Sequence, residues 1–179
     1  MAMRIINARG TRLFAAPSAP GSWRQYFDGT LGDQDAQLAA FDAMPWVEVG
    51  NLAELGEFGA DSQIGRFATL ADGVACKYRG TTDSGGIAFT LARAQHVGHD
   101  VLHHAERDRH PVSLKIELSA RGHDDPAHSQ PARAARYCMS GYVARLKTAI
   151  GSGNDIVRVL AAVALSGRIV EGPATDSTA

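Results

Sequence analysis

The segment Val112–Ser119 constrains this chain more than any other, because it alternates without exception. Val112, Leu114, Ile116 and Leu118 fall on one side, and Ser113, Lys115, Glu117 and Ser119 on the other. A period of two is the signature of a β-strand, and here it predicts one buried and one exposed face. Shorter runs of the same character surround it: Trp46–Val49, Ile64–Leu70, Val74–Gly80, Ile87–Arg93 and Arg136–Lys147. Asp72-Gly73 is a strong turn dipeptide between two of these runs, and Asp83-Ser84-Gly85-Gly86 turns the chain into Ile87. Asp155–Leu165 suits either a helix or a strand over Leu160–Leu165. Its β-branched Ile156, Val157 and Val159 and the turn residues Gly151–Asn154 favour strand.

One helix interrupts the series, Gly98–Asp108, with Val101, Leu102 and Ala105 near one face and Pro111 beyond its end. Residues 121–135 read as a polar loop, and the chain from Gly167 onward as a tail without periodicity. Residues 1–44 read as an irregular arm, rich in Gly and Pro but also carrying Trp23, Tyr26 and Phe27. A free linker seldom holds so many aromatics, so the arm is expected to lie on a surface. A short helix over Gln34–Ala43, capped by Asp33, fits within it. The expected division is an arm at 1–44, a β domain at 45–170 that begins after the arm, and a short tail at 171–179. The expected class is mainly β, an antiparallel β-sandwich or barrel with one flanking α-helix.

Charge and length exclude whole classes. With 18 Lys and Arg against 19 Asp and Glu, the net charge of −1 offers no global field for nucleic acid or an anionic membrane. No stretch approaches the roughly 20 apolar residues of a membrane span, so no membrane anchor is expected. Arg9 and Arg12 break any apolar core of a leader, so cytosolic synthesis is expected. Cys76 and Cys138 read as reduced, buried thiols.

The search for chemistry finds fragments. His99 and His103 stand at helical i, i+4 spacing, as in zinc hydrolases of the HExxH kind. The residue after His99 is Asp100 where those enzymes carry Glu, and no third ligand is evident, so a solvated helix face is the preferred reading. Met139-Ser140-Gly141 lacks the leading Gly of a nucleophile elbow. Gly80–Gly86 lacks the Lys-Ser/Thr of a phosphate loop and precedes a strand, so turn chemistry explains it. No catalytic residue, cofactor site or metal site follows. A small metal-dependent hydrolase using His99 and His103 is the alternative function, and a monomeric ligand-binding barrel ranks below it.

From Trp46 to Asp108 the chain resembles the major tail tube proteins of long-tailed, phage-lambda-like phages, prophages and gene transfer agents. The residues that carry the resemblance run in order: Val49-Gly50-Asn51-Leu52, Gly56-Glu57-Phe58-Gly59, Thr69–Gly73, Lys77–Gly80, Asp83–Leu91, and a helix around Asp100-Val101-Leu102. Its turn motifs are Gly50, Gly56, Gly59, Asp72, Gly73, Gly80, Asp83, Gly85 and Gly86. The C-terminal half fits more loosely, through Tyr137–Val143 and Asn154–Val157. The resemblance implies a structural virion protein that self-assembles into hexameric rings, which stack into a hollow tail tube conducting DNA without sequence-specific binding. It further implies tape-measure, tail-initiating baseplate and tail-terminator partners, assembly in the host bacterial cytoplasm, and no cofactor. Edge strands at Trp46–Leu52 or Val112–Ser119 are expected to pair across subunits. Trp23, Tyr26 and Phe27 of the arm, and Leu55 and Phe58 of the Gly-rich loop at 53–63, are the candidate inter-subunit residues.

Overall fold

The computed structural model describes residues 10–17, 34–68, 75–118, 135–152 and 155–173. In chain order its elements are β1 (Arg12–Pro17), α1 (Gln34–Asp42), β2 (Val47–Glu48), β3 (Leu52–Leu55), β4 (Asp61–Ala68) and β5 (Ala75–Asp83). Then follow β6 (Gly86–Ala92), α2 (Val97–Asp108), β7 (Val112–Glu117), β8 (Ala135–Ala149) and β9 (Arg158–Pro173). Seven strands form one antiparallel sheet in the order β2-β1-β7-β8-β9-β6-β3, and β4 pairs only with β5. The mainly β, antiparallel expectation holds, with two helices rather than one among the described residues.

The two ends of that strand order are neighbours in sequence. Only Val49, Gly50 and Asn51 separate β2 at one edge from β3 at the other. Four Cα steps of about 3.8 Å hold Glu48 and Leu52 within about 15 Å, so the sheet must curl until its edges nearly meet. Gly50 and Asn51 make the joint by turning left-handed, at φ 66° and 49°. The joint is bonded to both sides: the Val49 N–H donates to the Leu13 carbonyl at 2.8 Å, and the Ala92 N–H to the Asn51 carbonyl at 2.9 Å.

The curl encloses the main core. Leu13 and Ala15 of β1, Val112, Leu114 and Ile116 of β7, Met139 of β8, Val159, Ala161 and Val163 of β9, and Ile87, Phe89 and Leu91 of β6 face one another there. Helix α2 adds Leu102 and Ala105, and packs against β8, β1 and β2. Its first turn approaches β2 so closely that a Cβ at Gly98 would overlap the Glu48 carbonyl oxygen and the Val49 Cα.

Three sequence expectations need correction. Residues 1–44 are not an irregular arm throughout, since β1 lies inside the sheet between β2 and β7, with Leu13, Ala15 and Ala16 fully buried. The helix expected at Gln34–Ala43 does form, as α1, and Leu38 and Phe41 bury against Cys138 and Val170. A β domain that starts after the arm therefore lacks a strand of its own sheet.

The second correction concerns β7. Its apolar side is buried as expected, but so is the other side, with Ser113 and Lys115 at 1% and 8% exposure. β7 is an interior strand, so it cannot pair across subunits. The polar face is accommodated by partners. Ser113 and Ser140 hydroxyls lie 2.8 Å apart, and the Lys115 ammonium meets Glu117 at 2.8 Å and the Phe14 ring at 4.3 Å. The third correction is the tail: β9 runs on to Pro173. A register shift opposite Cys138–Ser140, with Gly167 at φ 80°, breaks the alternation that would have revealed the strand.

Two measurements check this arrangement. Removing residues 1–17 takes β1 from between β2 and β7, and cooperative thermal unfolding should be lost. Gly98→Ala should cost about 1–3 kcal/mol by forcing α2 from β2, whereas Gly59→Ala, with open space around its new methyl, should leave the melting temperature unchanged.

Candidate assembly surface

The strands β4 and β5 stand apart from the curled sheet. Every residue of β5 from Lys77 to Asp83 is exposed, and Gln63, Ile64 and Arg66 of β4 are exposed as well. A two-stranded hairpin is marginal in water unless something covers it. Local contacts supply part of its order. Arg79 Nε donates to the Ser62 hydroxyl at 2.8 Å, and the Ser62 and Thr82 hydroxyls are 3.1 Å apart. The Tyr78 ring lies across Gly65, its register partner, in the space a Cβ would fill.

The hairpin's composition is that of a contact surface. Ile64 and Tyr78 leave 60% and 59% of their areas exposed. Ile64 pairs with Arg79, and Arg66 pairs directly with Lys77, so one face presents an isoleucine among three cations. Like charges directly opposite destabilise a strand pair. A surface that is apolar opposite Ile64 and anionic opposite the cations would relieve both defects.

The turn motifs fall around this feature and the joint. Gly50 forms the joint, and Gly56 packs against the Ala88 carbonyl at the end of β3. Gly80 lies within β5. Gly85 is left-handed at φ 65° between β5 and β6, where its N–H donates to the Asp83 carboxylate at 3.0 Å, and Gly86 opens β6. Gly59 lies in open space. Asp72 and Gly73, and the arm aromatics Trp23, Tyr26 and Phe27, lie outside the described residues. Leu55 and Phe58 are half-buried against the chain's own core, and the Phe58 ring meets Tyr137 edge-on at 5.3 Å. The hairpin was legible as a turn between two runs, but not its departure from the sheet.

The histidines do not converge. His99 is buried and His103 exposed, and no group of three or more His, Cys, Asp or Glu among the described residues is placed to hold a metal ion. Burial pushes the His99 imidazole below its ordinary value, helped by the nearby charge of His96, while a backbone hydrogen bond at Gly50 works the other way. Cys138 is buried, which pushes its thiol up to about 11 and leaves it protonated at neutral pH. The Cys76 side chain lies outside the described residues.

No family model and no curated protein matches the chain. Solved structures do. The chain is similar to one in the cryo-EM structure of the sheath/tube terminator of an extracellular contractile injection system, PVC, in its extended state. The TM-score is 0.60 at 9% identity, covering 96% of this chain and 99% of that one. It is similar as well to a chain in the six-fold symmetrised baseplate of the anti-feeding prophage, with TM-score 0.58, 7% identity, and 96% and 97% coverage. A third similarity is to a chain of the tube-terminating cap of that prophage, with TM-score 0.51, 11% identity, and 69% and 80% coverage. The likeness is one of fold.

Because Ile64 is exposed on a hairpin outside the core, Ile64→Ser should shift the stability of the isolated chain by no more than about 0.5 kcal/mol, measured by urea unfolding.

Proposed function

We propose that this chain is a structural subunit of a phage-tail-like tube or injection apparatus, and that its work is assembly with copies of itself and with other tube components. The observation that carries this reading is the β4–β5 hairpin, most of whose described side chains are exposed and which is joined to a body with a core of its own. A hairpin of that kind is stable where a neighbour covers it. Two further observations support the reading. The fold matches, over nearly its whole length, chains from a tube terminator and a baseplate. The tail-tube resemblance of Trp46–Asp108 points to the same class of assembly.

The finer features belong to the same proposal: rings of six, stacking into a hollow tube, a lumen that conducts DNA, and tape-measure, baseplate and terminator partners. The six-fold symmetrised baseplate of one neighbour supports six copies per ring. The neighbours come from contractile injection systems, so the proposed class is tail-tube-related in general, with the lambda-like branch as its narrower form. The subunit would reside in the tail of a particle and be assembled in the bacterial cytoplasm. No catalytic step is assigned to it. Heterologous contacts that close make a ring, and a second set that does not close makes a tube.

Light scattering and negative-stain microscopy of the full chain test the reading. Rings or tubes should appear as concentration rises, and Ile64→Lys with Tyr78→Lys should leave folded monomers with an unchanged circular dichroism spectrum. A full chain that stays monomeric at the highest soluble concentration, or a doubly substituted chain that assembles as the original does, would overturn it.

A further inference from the structure

The joint between the sheet's edges is built around a histidine. His99 sits in the first turn of α2, and its ring is buried at 6% exposure and hydrogen-bonded to the Gly50 backbone. Its Nε2 is buried without a hydrogen-bond partner. His96 caps the same helix, its Nδ1 accepting from the Gly98 N–H at 3.2 Å, and its ring lies 6.1 Å from that of His99 and 3.1 Å from where a Cβ of Gly50 would stand. Two imidazoles thus close over the residues that connect β2 to β3.

We infer that this joint is an acid-sensitive latch, shut while the His99 ring is neutral and loosened when it takes a proton. A neutral ring leaves Nε2 as an unpaired acceptor, a modest cost. A protonated ring places a charged N–H donor in the same partnerless position, a far larger one. The surroundings favour the neutral form. The first turn of a helix carries its positive dipole end, which opposes a cation.

The neighbouring charges add little relief. On α2 and its cap, His96 and His103 oppose protonation and Asp100 favours it. From β2 and β1 come Glu48 and Arg12, already paired at 2.7 Å. The third element packed on α2, β8, contains Arg136, Arg145 and Lys147 and no carboxylate. In the unfolded chain His99 protonates near its ordinary value of 6.5, so the joint keeps its full stability above that pH. It loses stability as the pH falls below 6.5, until the folded ring itself protonates. The latch acts within one subunit and holds whether or not copies associate.

Amide exchange of the full-length chain, held monomeric at low concentration, tests the latch at pH 7.5 and 5.5. After correction for intrinsic rates, amides of residues 48–51 and 97–102 should open more readily at pH 5.5, by up to about tenfold, the limit set by the one unit between 6.5 and 5.5, while those of β7 should not. His99→Gln should abolish that difference. Should the substituted chain fail to fold, the ring resonance of His99 in the natural sequence decides. It should stay neutral as the pH falls through the ordinary imidazole value of 6.5. Joint amides that open no more than those of β7, a His99→Gln chain that keeps the difference, or a His99 ring that takes its proton at the ordinary value of 6.5 would each overturn the inference.

Discussion

Everything else in this fold depends on the short connection between the sheet's opposite edges. Seven strands could lie as an open, gently twisted layer with one face in water. Three residues between β2 and β3 exclude that arrangement, because they cannot span it. The sheet curls, its inner face becomes a closed apolar interior, and α2 is drawn against the connection through the bare backbone of Gly98. Leu102 and Ala105 then reach the same interior as Ile87 and Ile116. A local limit on chain length has become a global shape.

The outer face of the sheet needs its own cover, and α1 supplies it. Leu38 and Phe41 shield Cys138 and Val170, and the Trp46 indole donates to the Phe41 carbonyl at 2.7 Å. The helix is fastened at both ends. Gln34 donates to the Glu171 carbonyl at 2.7 Å, and Arg136 grips the Asp42 carboxylate with its two terminal guanidinium nitrogens. Arg136 is itself buried, so this pair stabilises chiefly by keeping a cation from standing alone in the interior. The polar side chains of β7 are tolerated in the interior of the sheet because each has a partner.

Periodicity revealed those parts of the fold whose neighbours match their own pattern. β7, β6 and α2 could be read directly, since their apolar spacing agrees with the face each one buries. β1 could not, because Arg-Leu-Phe-Ala-Ala-Pro has little β character by itself and becomes a strand only through pairing with β2 and β7. The second buried face of β7 was hidden because the groups that meet it, the Phe14 and Trp46 rings at Lys115 and the Ser140 hydroxyl at Ser113, come from distant parts of the chain. The end of β9 was hidden by a bulge. At the candidate surface the glycines and the turn at Asp83–Gly86 were visible. That β4 and β5 leave the sheet was not, since a strand reads alike whether it joins a large sheet or a small one.

The edges themselves carry a last consequence. β2 has two residues and β3 four, and Glu48 and Glu54 interrupt them with charge. Exposed strand edges are ordinarily where proteins recruit one another into fibrils. In the seven-stranded sheet they are too short and too charged to template another chain, and the long strands β8 and β9 lie in its interior, so the long open edges among the described residues are those of β4 and β5. Among the described residues, the backbone left open to another chain is therefore concentrated on the hairpin that stands clear of the sheet, while the curled body offers little of it.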